Sequence, residues 1–569
     1  MPHFPPTTPR AKRRRRALRT RAMRTLVATV LPSLAATGAQ AFSIDTGVPD
    51  LQWRWDNTLK YSSAWRVKGL DENVSGPNAS NANPNFDDGD RNFHRGMISN
   101  RVDLLSEMDV KYQNVGARVS AAAWYDTIYN RSNANNSPAT ANAVSVPHDH
   151  FTDATSDLMG RKAEFLDAFA FGRFTPGDTA LNVRAGRFTQ LYGESLYFGA
   201  NGIAAAQTPV DVIKALAVPN SQFKEILMPV TQLSANWQIN TQVSVGAYYQ
   251  LEWRASRLPP SGSYFSFGDF PGTGGERLLG GAPLMPGGGP AAFFHGTDID
   301  ARNSGQGGGQ VKFKFGDTEY GIYAARFHDK APQFYLRPGA GGVNPATGEI
   351  GQYVQVYGEG ITTYGASFST VLGDANVAGE LSFRHNMPLN AVGNIVLDPL
   401  GAGNGSSNPL YPVGHTLHAQ LSVINVLPAG PLWQGASITG EVAYNRRLAV
   451  TRNADQLDPN VSRDAAALRL IVQPEYFQVL PGVDMQVPIG IGYGLFGNSS
   501  VNGLGFPARH GGDFTFGIKA DYEKVWYGSF TYTHFFGRAG SVANAAGQLT
   551  GNQVYKDRNF IALSIQRTF

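Results

Sequence analysis

Along residues 51–67, LQWRWDNTLKYSSAWRV, apolar and polar side chains take turns. Leu51, Trp53, Trp55, Leu59, Tyr61, Trp65 and Val67 hold one set of positions, broken by Asn57 and Ser63, and Gln52, Arg54, Asp56, Thr58, Lys60, Ser62 and Arg66 hold the other. A period of two is that of a β-strand, whose successive side chains leave opposite faces. Seventeen residues exceed an ordinary globular strand and suit a tilted one that crosses a membrane and projects beyond it. RVDLLSEMDVKY repeats the pattern, with Val102, Leu104, Met108, Val110 and Tyr112 against Arg101, Asp103, Glu107, Asp109 and Lys111. VAGELSFRH and FTFGIKADY do the same. Oil on one face and charge on the other describe a wall between lipid and water.

The pattern predicts about eighteen strands, near 51–67, 100–112, 117–129, 161–174, 179–188, 229–239, 242–254, 309–316, 319–328, 359–372, 375–386, 416–427, 436–446, 466–477, 483–493, 513–522, 525–536 and 556–569. Their connections alternate between short ones with tight-turn chemistry, such as QNVG, TPGD and the two GD pairs, and long Gly- and Asn-rich ones. Nine long and eight short connections leave both chain ends on the short-turn side. The expected fold is therefore all-β, a transmembrane antiparallel β-barrel of 16–18 strands with short periplasmic turns and long extracellular loops. The last strand, FIALSIQRTF, must pair with the first so that no sheet edge is left in hydrocarbon. Its one departure is Arg567, a charge on the apolar face near the strand end.

Composition agrees with many strands: 65 Gly and 34 Pro for turns, 33 Phe and 23 Tyr for strands. No run of 18 apolar residues exists to span a bilayer as a helix. The absence of cysteine excludes disulfides, thiolate zinc sites and cysteine nucleophiles. The formal charge of +4 misleads until it is located. Residues 1–41 hold nine of the 48 Lys and Arg and none of the 44 Asp and Glu, so residues 42–569 carry 39 against 44, a formal −5. The basic run AKRRRRALRTRAMR, the apolar TLVATVLPSLAATG and the AQA at Ala39–Ala41 together read as a secretory signal peptide, with Phe42 the expected mature start and Met23 an alternative initiator. Nucleic acid is not an expected partner.

WDNTLKYSSAWRV, SNRVDLLSEMDVKYQNVGARVSAAAWYD, LDAFAFGRF, RAGRFTQLYGESLYFGANGIAAAQTPVDV and QLEWRASRLPPSGSYFSFGDF resemble, in the same order, the blocks of the Gram-negative outer-membrane proteins grouped as domain-of-unknown-function family 1302. The resemblance covers nearly the whole mature chain. It implies an outer-membrane location and an association with handling of hydrophobic compounds or lipids beside periplasmic and inner-membrane export partners. It brings no catalytic residues. A terminal strand ending in Phe569 also resembles the signal read by the barrel assembly machinery.

A barrel of this size leaves a water-filled lumen unless something plugs it. The expected obstruction is the connection 190–228, less rich in Gly and Asn than its counterparts, with an apolar stretch from Val210 to Val218 that suits a helical turn or two. Two placements stay open: folded into the lumen as a constriction lined by Glu194, Asp211, Lys214, Lys224 and Glu225, or packed outside as a lid. Arg54, Arg101, Asp103 and Glu107, with Lys60, Arg66, Asp109 and Arg118, are expected to face the lumen, tuning passage or serving as solvated wall. HDHFTD (His148, Asp149, His150, Asp153) and DDGD (Asp87, Asp88, Asp90) carry ligand types for a divalent ion but are equally ordinary loop clusters, so no metal and no cofactor are assigned. No hydrolase elbow or phosphate loop points to an enzyme. The expected function is a channel for a small hydrophobic or amphipathic solute. The alternative is a non-conducting barrel that forms the outer-membrane part of a lipid or hydrophobic-compound export assembly.

Overall fold

The computed structural model describes residues 42–44, 46–76, 84–218, 222–283 and 290–569. The expected leader, residues 1–41, lies outside them. Eighteen staves carry the alternation: β1 (Leu51–Arg66), β2 (Gly96–Tyr112), β3 (Val115–Asp126), β4 (Arg161–Phe174), β5 (Ala180–Phe188), β6 (Val230–Gln238), β7 (Val243–Gln250), β8 (Gln306–Phe315), β9 (Thr318–Phe327), β10 (Ile361–Leu372), β11 (Ala375–Pro388), β12 (Val413–Leu427), β13 (Gly435–Arg452), β14 (Asp464–Leu480), β15 (Val483–Gln486 and Ile489–Phe496), β16 (Gly512–Tyr522), β17 (Trp526–Phe536) and β18 (Phe560–Thr568). The break in β15 falls at Val487 and Pro488, where proline has no N–H for the ladder.

Each stave pairs antiparallel with its neighbours, and β18 pairs with β1 from Thr58↔Thr568 to Arg66↔Phe560. The sheet closes, so no backbone edge faces hydrocarbon. Phe569 exchanges both backbone hydrogen bonds with Asn57, and the short strand Phe42–Ile44 pairs with Trp53–Trp55 just beyond.

The outer face is apolar. Trp53, Trp55, Tyr61, Leu104, Phe165, Leu233, Ile322, Tyr364, Leu381, Leu421 and Ile565 are all exposed, Phe165 to 67%. In water such a belt would be costly, while lipid covers it at no loss. Near the short turns Tyr112, Phe174, Trp237, Phe315, Tyr522 and Trp526 form an aromatic girdle, the amphipathic residue types that settle at a membrane interface. Arg567 lies over the Trp526 ring at 5.0 Å within this girdle, which explains its tolerance on the apolar face. Among the described residues no helix is long and apolar enough to cross a membrane; the strands do so. The protein is a β-barrel that spans a membrane with its strands.

Short turns close one end, as at Gly316–Asp317 where Gly316 has φ +60°. The long loops at the other end build structure of their own. One cluster packs Phe93, Ile98, Tyr129, Phe151, Tyr264 and Phe560. A separate five-stranded sheet joins, in order, Ile395–Leu397, Gln333–Pro338, Glu349–Val356, Pro290–His295 and Arg277–Pro283. This second sheet departs from the reading of these stretches as plain Gly-rich loops. Its strands are short and two of its pairings are parallel and join distant loops, so no local period announced them.

Candidate functional site

Cross-strand partners share a face, so exposed apolar residues identify their inward neighbours. On β11–β13, Leu381, Leu421 and Val442 face lipid, which turns Glu380, Ser382 and Arg384, then Gln420 and Ser422, then Glu441 and Ala443 toward the lumen. Glu380 and Glu441 are buried, because the connection between β5 and β6 lies against them.

Glu441 accepts three consecutive backbone N–H groups, from Leu196 at 3.1 Å, Tyr197 at 2.6 Å and Phe198 at 2.7 Å. Glu380 accepts the N–H of Glu194 at 2.8 Å and of Ile203 at 3.0 Å, with Ser195 Oγ at 2.9 Å and Gln420 Nε2 at 2.8 Å. An irregular segment carries backbone donors that no helix or sheet satisfies, and a carboxylate that accepts several answers them strongly. Arg384 returns the favour, donating to the carbonyls of Ala200 at 3.0 Å and Gly202 at 2.8 Å. Asn201 donates to Tyr444 O at 3.2 Å and its Oδ1 stands 2.9 Å from His418 Nδ1. The GANG sequence permits this approach: a Cβ on Gly202 would collide with Glu380 Oε1, and one on Gly199 with the Phe223 ring.

The segment also meets inward residues of other staves. Tyr192 packs edge-on against inward Tyr248 of β7. Asp211 caps the helix Val212–Ala217 by accepting from Lys214 N at 3.0 Å and pairs with Arg257 at 2.8 Å, which also holds Glu164 of β4 at 2.6 Å. Leu216 packs against the Phe93–Tyr264 cluster, and Lys60 of β1 feels the charges of Asp103, Arg101 and Lys214. Residues 190–217 thus run from the β11–β13 wall to the β1–β4 wall.

The expected site residues fall into three places. Glu194 and Asp211 are half-buried in ion pairs, Glu194 with Lys312 of β8 at 3.2 Å. Lys214, Lys224 and Glu225 are exposed on the segment's surface; Lys214 Nζ donates to Glu225 O at 2.6 Å, and Glu225 closes a capping box with Gln222. Arg54, Arg101, Asp103 and Glu107 stand on the β1–β3 wall as part of a charge ladder. Arg54 pairs with Asp56 at 2.6 Å and Arg101 with Asp103 at 2.5 Å, while Arg118 pairs with Glu107 and, at 3.2 Å, with Asp109. Arg66 lies apart from the ladder, buried among the outer loops. Beside the ladder Phe169 shares its face with Arg118, and Arg184 lies 5.8 Å over the Phe169 ring. Glu380, Glu441, Arg384 and Arg184 were not singled out from the sequence, where nothing separates an anchoring charge from an ordinary lumen-facing one.

The family model described as Protein of unknown function (DUF1302) matches residues 22–569. No curated protein sequence matches the chain. Among solved structures it is similar to OccAB4 of Acinetobacter baumannii at 8% identity and a TM-score of 0.40, covering 91% of this chain and 98% of that one. It is similar to OccAB1 of the same organism at 10% identity and a TM-score of 0.41, covering 94% and 99%. Pseudomonas aeruginosa OpdK with vanillate gives 8% identity and a TM-score of 0.38, covering 91% and 98%. At these scores the likeness adds nothing to the fold, which rests on the closed ladder described above.

Proposed function

The chain belongs to the family described as Protein of unknown function (DUF1302), and we propose that this member is an outer-membrane channel constricted by residues 190–228, passing a small amphipathic solute. The observation that carries the reading is the fastening of an irregular segment to inward carboxylates on one wall while the opposite wall keeps an accessible ladder of charges. A segment so held narrows an eighteen-strand lumen, and the charges facing it tune what passes. Phe169 and Phe171 beside Arg184 offer apolar surface next to a cation, which favours a solute with an apolar body and an anionic group. The covering lipid, the barrel assembly machinery and any periplasmic or inner-membrane partners belong to the same proposal.

Liposome swelling tests it. Vesicles carrying the protein should swell faster in benzenesulfonate than in a neutral sugar of similar size, and Arg184→Ala should remove the preference. Equal rates would remove the amphipathic specificity. No swelling in either solute would favour the other reading, a filled barrel serving an export assembly.

A further inference from the structure

The outer loops hold two buried charge clusters. In the first, Arg66 Nη2 lies 3.1 Å from Asp90 Oδ1 and 3.1 Å from Asp557 Oδ2, and Arg558 Nε lies 2.9 Å from Asp90 Oδ1. Two guanidiniums meet two carboxylates, so the cluster balances itself. The second does not. Asp87, Asp88 and Asp269 are each at most 7% exposed, and one oxygen of each lies within 4.8 Å of the others. Arg91 and Arg277 are the basic groups acting on this triad, two against three.

Two loops supply the triad and a third encloses it. Asp87 and Asp88 lie between β1 and β2, and Asp269 lies between β7 and β8. Asp269 Oδ2 accepts the N–H of Asp87 at 2.7 Å and of Asp88 at 3.2 Å. The β3–β4 loop completes it: Asn135 Nδ2 donates to Asp88 at 2.9 Å, Asn142 N at 3.2 Å, and Thr140 Oγ1 to Asp87 at 3.1 Å. Arg91 Nε reaches Asp87 Oδ2 at 2.6 Å. Burial, joined at Asp87 by the charge of Asp88, disfavours the ionised form of both carboxyls.

Among the described residues Asp87 Oδ1 and Asn142 Oδ1, the latter on the residue whose N–H bonds Asp88, are buried and accept no hydrogen bond, as is also true of Asp90 Oδ2 and Asp557 Oδ1 in the first cluster, where the arginines already balance the charge. Buried acceptors are nearly always answered, by a donor or by a cation. The sequence motif DDGD had grouped Asp87 and Asp88 with Asp90. The fold instead gives Asp90 to the balanced cluster and brings in Asp269, 182 residues from Asp87.

We propose that Asp87, Asp88 and Asp269, with the side-chain carbonyl of Asn142, bind one hard divalent cation, calcium by preference, that staples the β1–β2, β3–β4 and β7–β8 loops together. All the donors are oxygen, which excludes a preference for soft metals. Ligands drawn from three irregular loops suit the variable coordination of calcium better than the strict octahedron of magnesium.

The test is calorimetric titration of calcium into the full-length barrel, refolded without lipopolysaccharide and stripped by chelator. The wild type should bind one equivalent, Asp269→Asn about tenfold or more weakly, and Asp149→Asn, in the exposed HDHFTD loop, like the wild type. Calcium should also slow trypsin cleavage at Arg95 and Arg131, two basic residues of the stapled loops, and chelator should reverse this. If Asp269→Asn fails to fold, the wild-type stoichiometry and the protection decide alone. No binding at millimolar calcium, or equal binding by Asp269→Asn, would overturn the site and leave protons as the agents that neutralise the triad.

Discussion

The two walls of the lumen treat charge in opposite ways. On β11–β13 the carboxylates of Glu380 and Glu441 are buried and spent on backbone N–H groups of the segment between β5 and β6. On β1–β4 the carboxylates of Asp103, Glu107 and Asp109 are half-exposed and spent on guanidiniums of the same wall. Water screens the second kind, and exposed pairs are worth about 0–1 kcal/mol. Hydrogen bonds to a buried charge are worth roughly 1.5–3 kcal/mol each. The β11–β13 wall therefore holds the segment's backbone directly, while the β1–β4 wall reaches it through Glu164, Arg257 and Asp211 and leaves its ladder of Asp103, Glu107 and Asp109 to meet what passes.

The comparison breaks most visibly at Glu441. Glu441→Ala removes three charge-assisted bonds, a loss of about 4 kcal/mol or more for the segment's local stability. Amide exchange at Leu196, Tyr197 and Phe198 should accelerate by over a hundredfold, while amides of β2 keep their protection. Unchanged exchange would mean that the carboxylate is not the anchor. Gly202→Ala comes next. Its Cβ has no room beside Glu380 Oε1, so the segment must shift, and exchange at Ile203 should rise by a smaller factor.

On the other wall, Glu107→Gln should leave exchange in the segment unaltered and unfolding within about 1 kcal/mol, yet shift the ratio of anion to cation permeability measured from reversal potentials. A change in segment protection with no change in selectivity would reverse the assignment of the two walls. The smallest effect concerns pH. Lys330, at the top of β9, donates to Ala205 O of the segment at 3.3 Å, and burial pushes it down to about 8 from 10.5. Because the folded value lies below the unfolded one, the folded state is penalised fully below pH 8 and less as pH climbs toward 10.5. Protection at the segment, corrected for intrinsic exchange, should rise across that window, and Lys330→Met should flatten the rise.

The staves were legible because each one states its faces locally. Trp53 and Trp55 against Arg54 and Asp56 need no knowledge of the rest of the chain, and Gly373–Asp374 marks its turn unaided. Ends were less legible where both faces meet water: β13 runs on through Arg446 and Arg447 to Arg452, beyond the oily part of its pattern. The second sheet escaped because strands as short as Ile395–Leu397 gain order only from partners in other loops. The site was least legible of all. Glu441 lies 244 residues from Tyr197, and Glu380 lies 186 from Glu194. A charge on the water face of a stave looks the same whether it meets solvent or a segment folded from elsewhere.

The most direct measurement is single-channel conductance in planar bilayers, comparing the intact protein with the Glu380→Ala, Glu441→Ala double variant. The account predicts small steps in the intact protein and markedly larger, noisier steps once the segment is released from the β11–β13 wall. Steps of equal size in both proteins, or none in either, would contradict a constriction held by these two carboxylates.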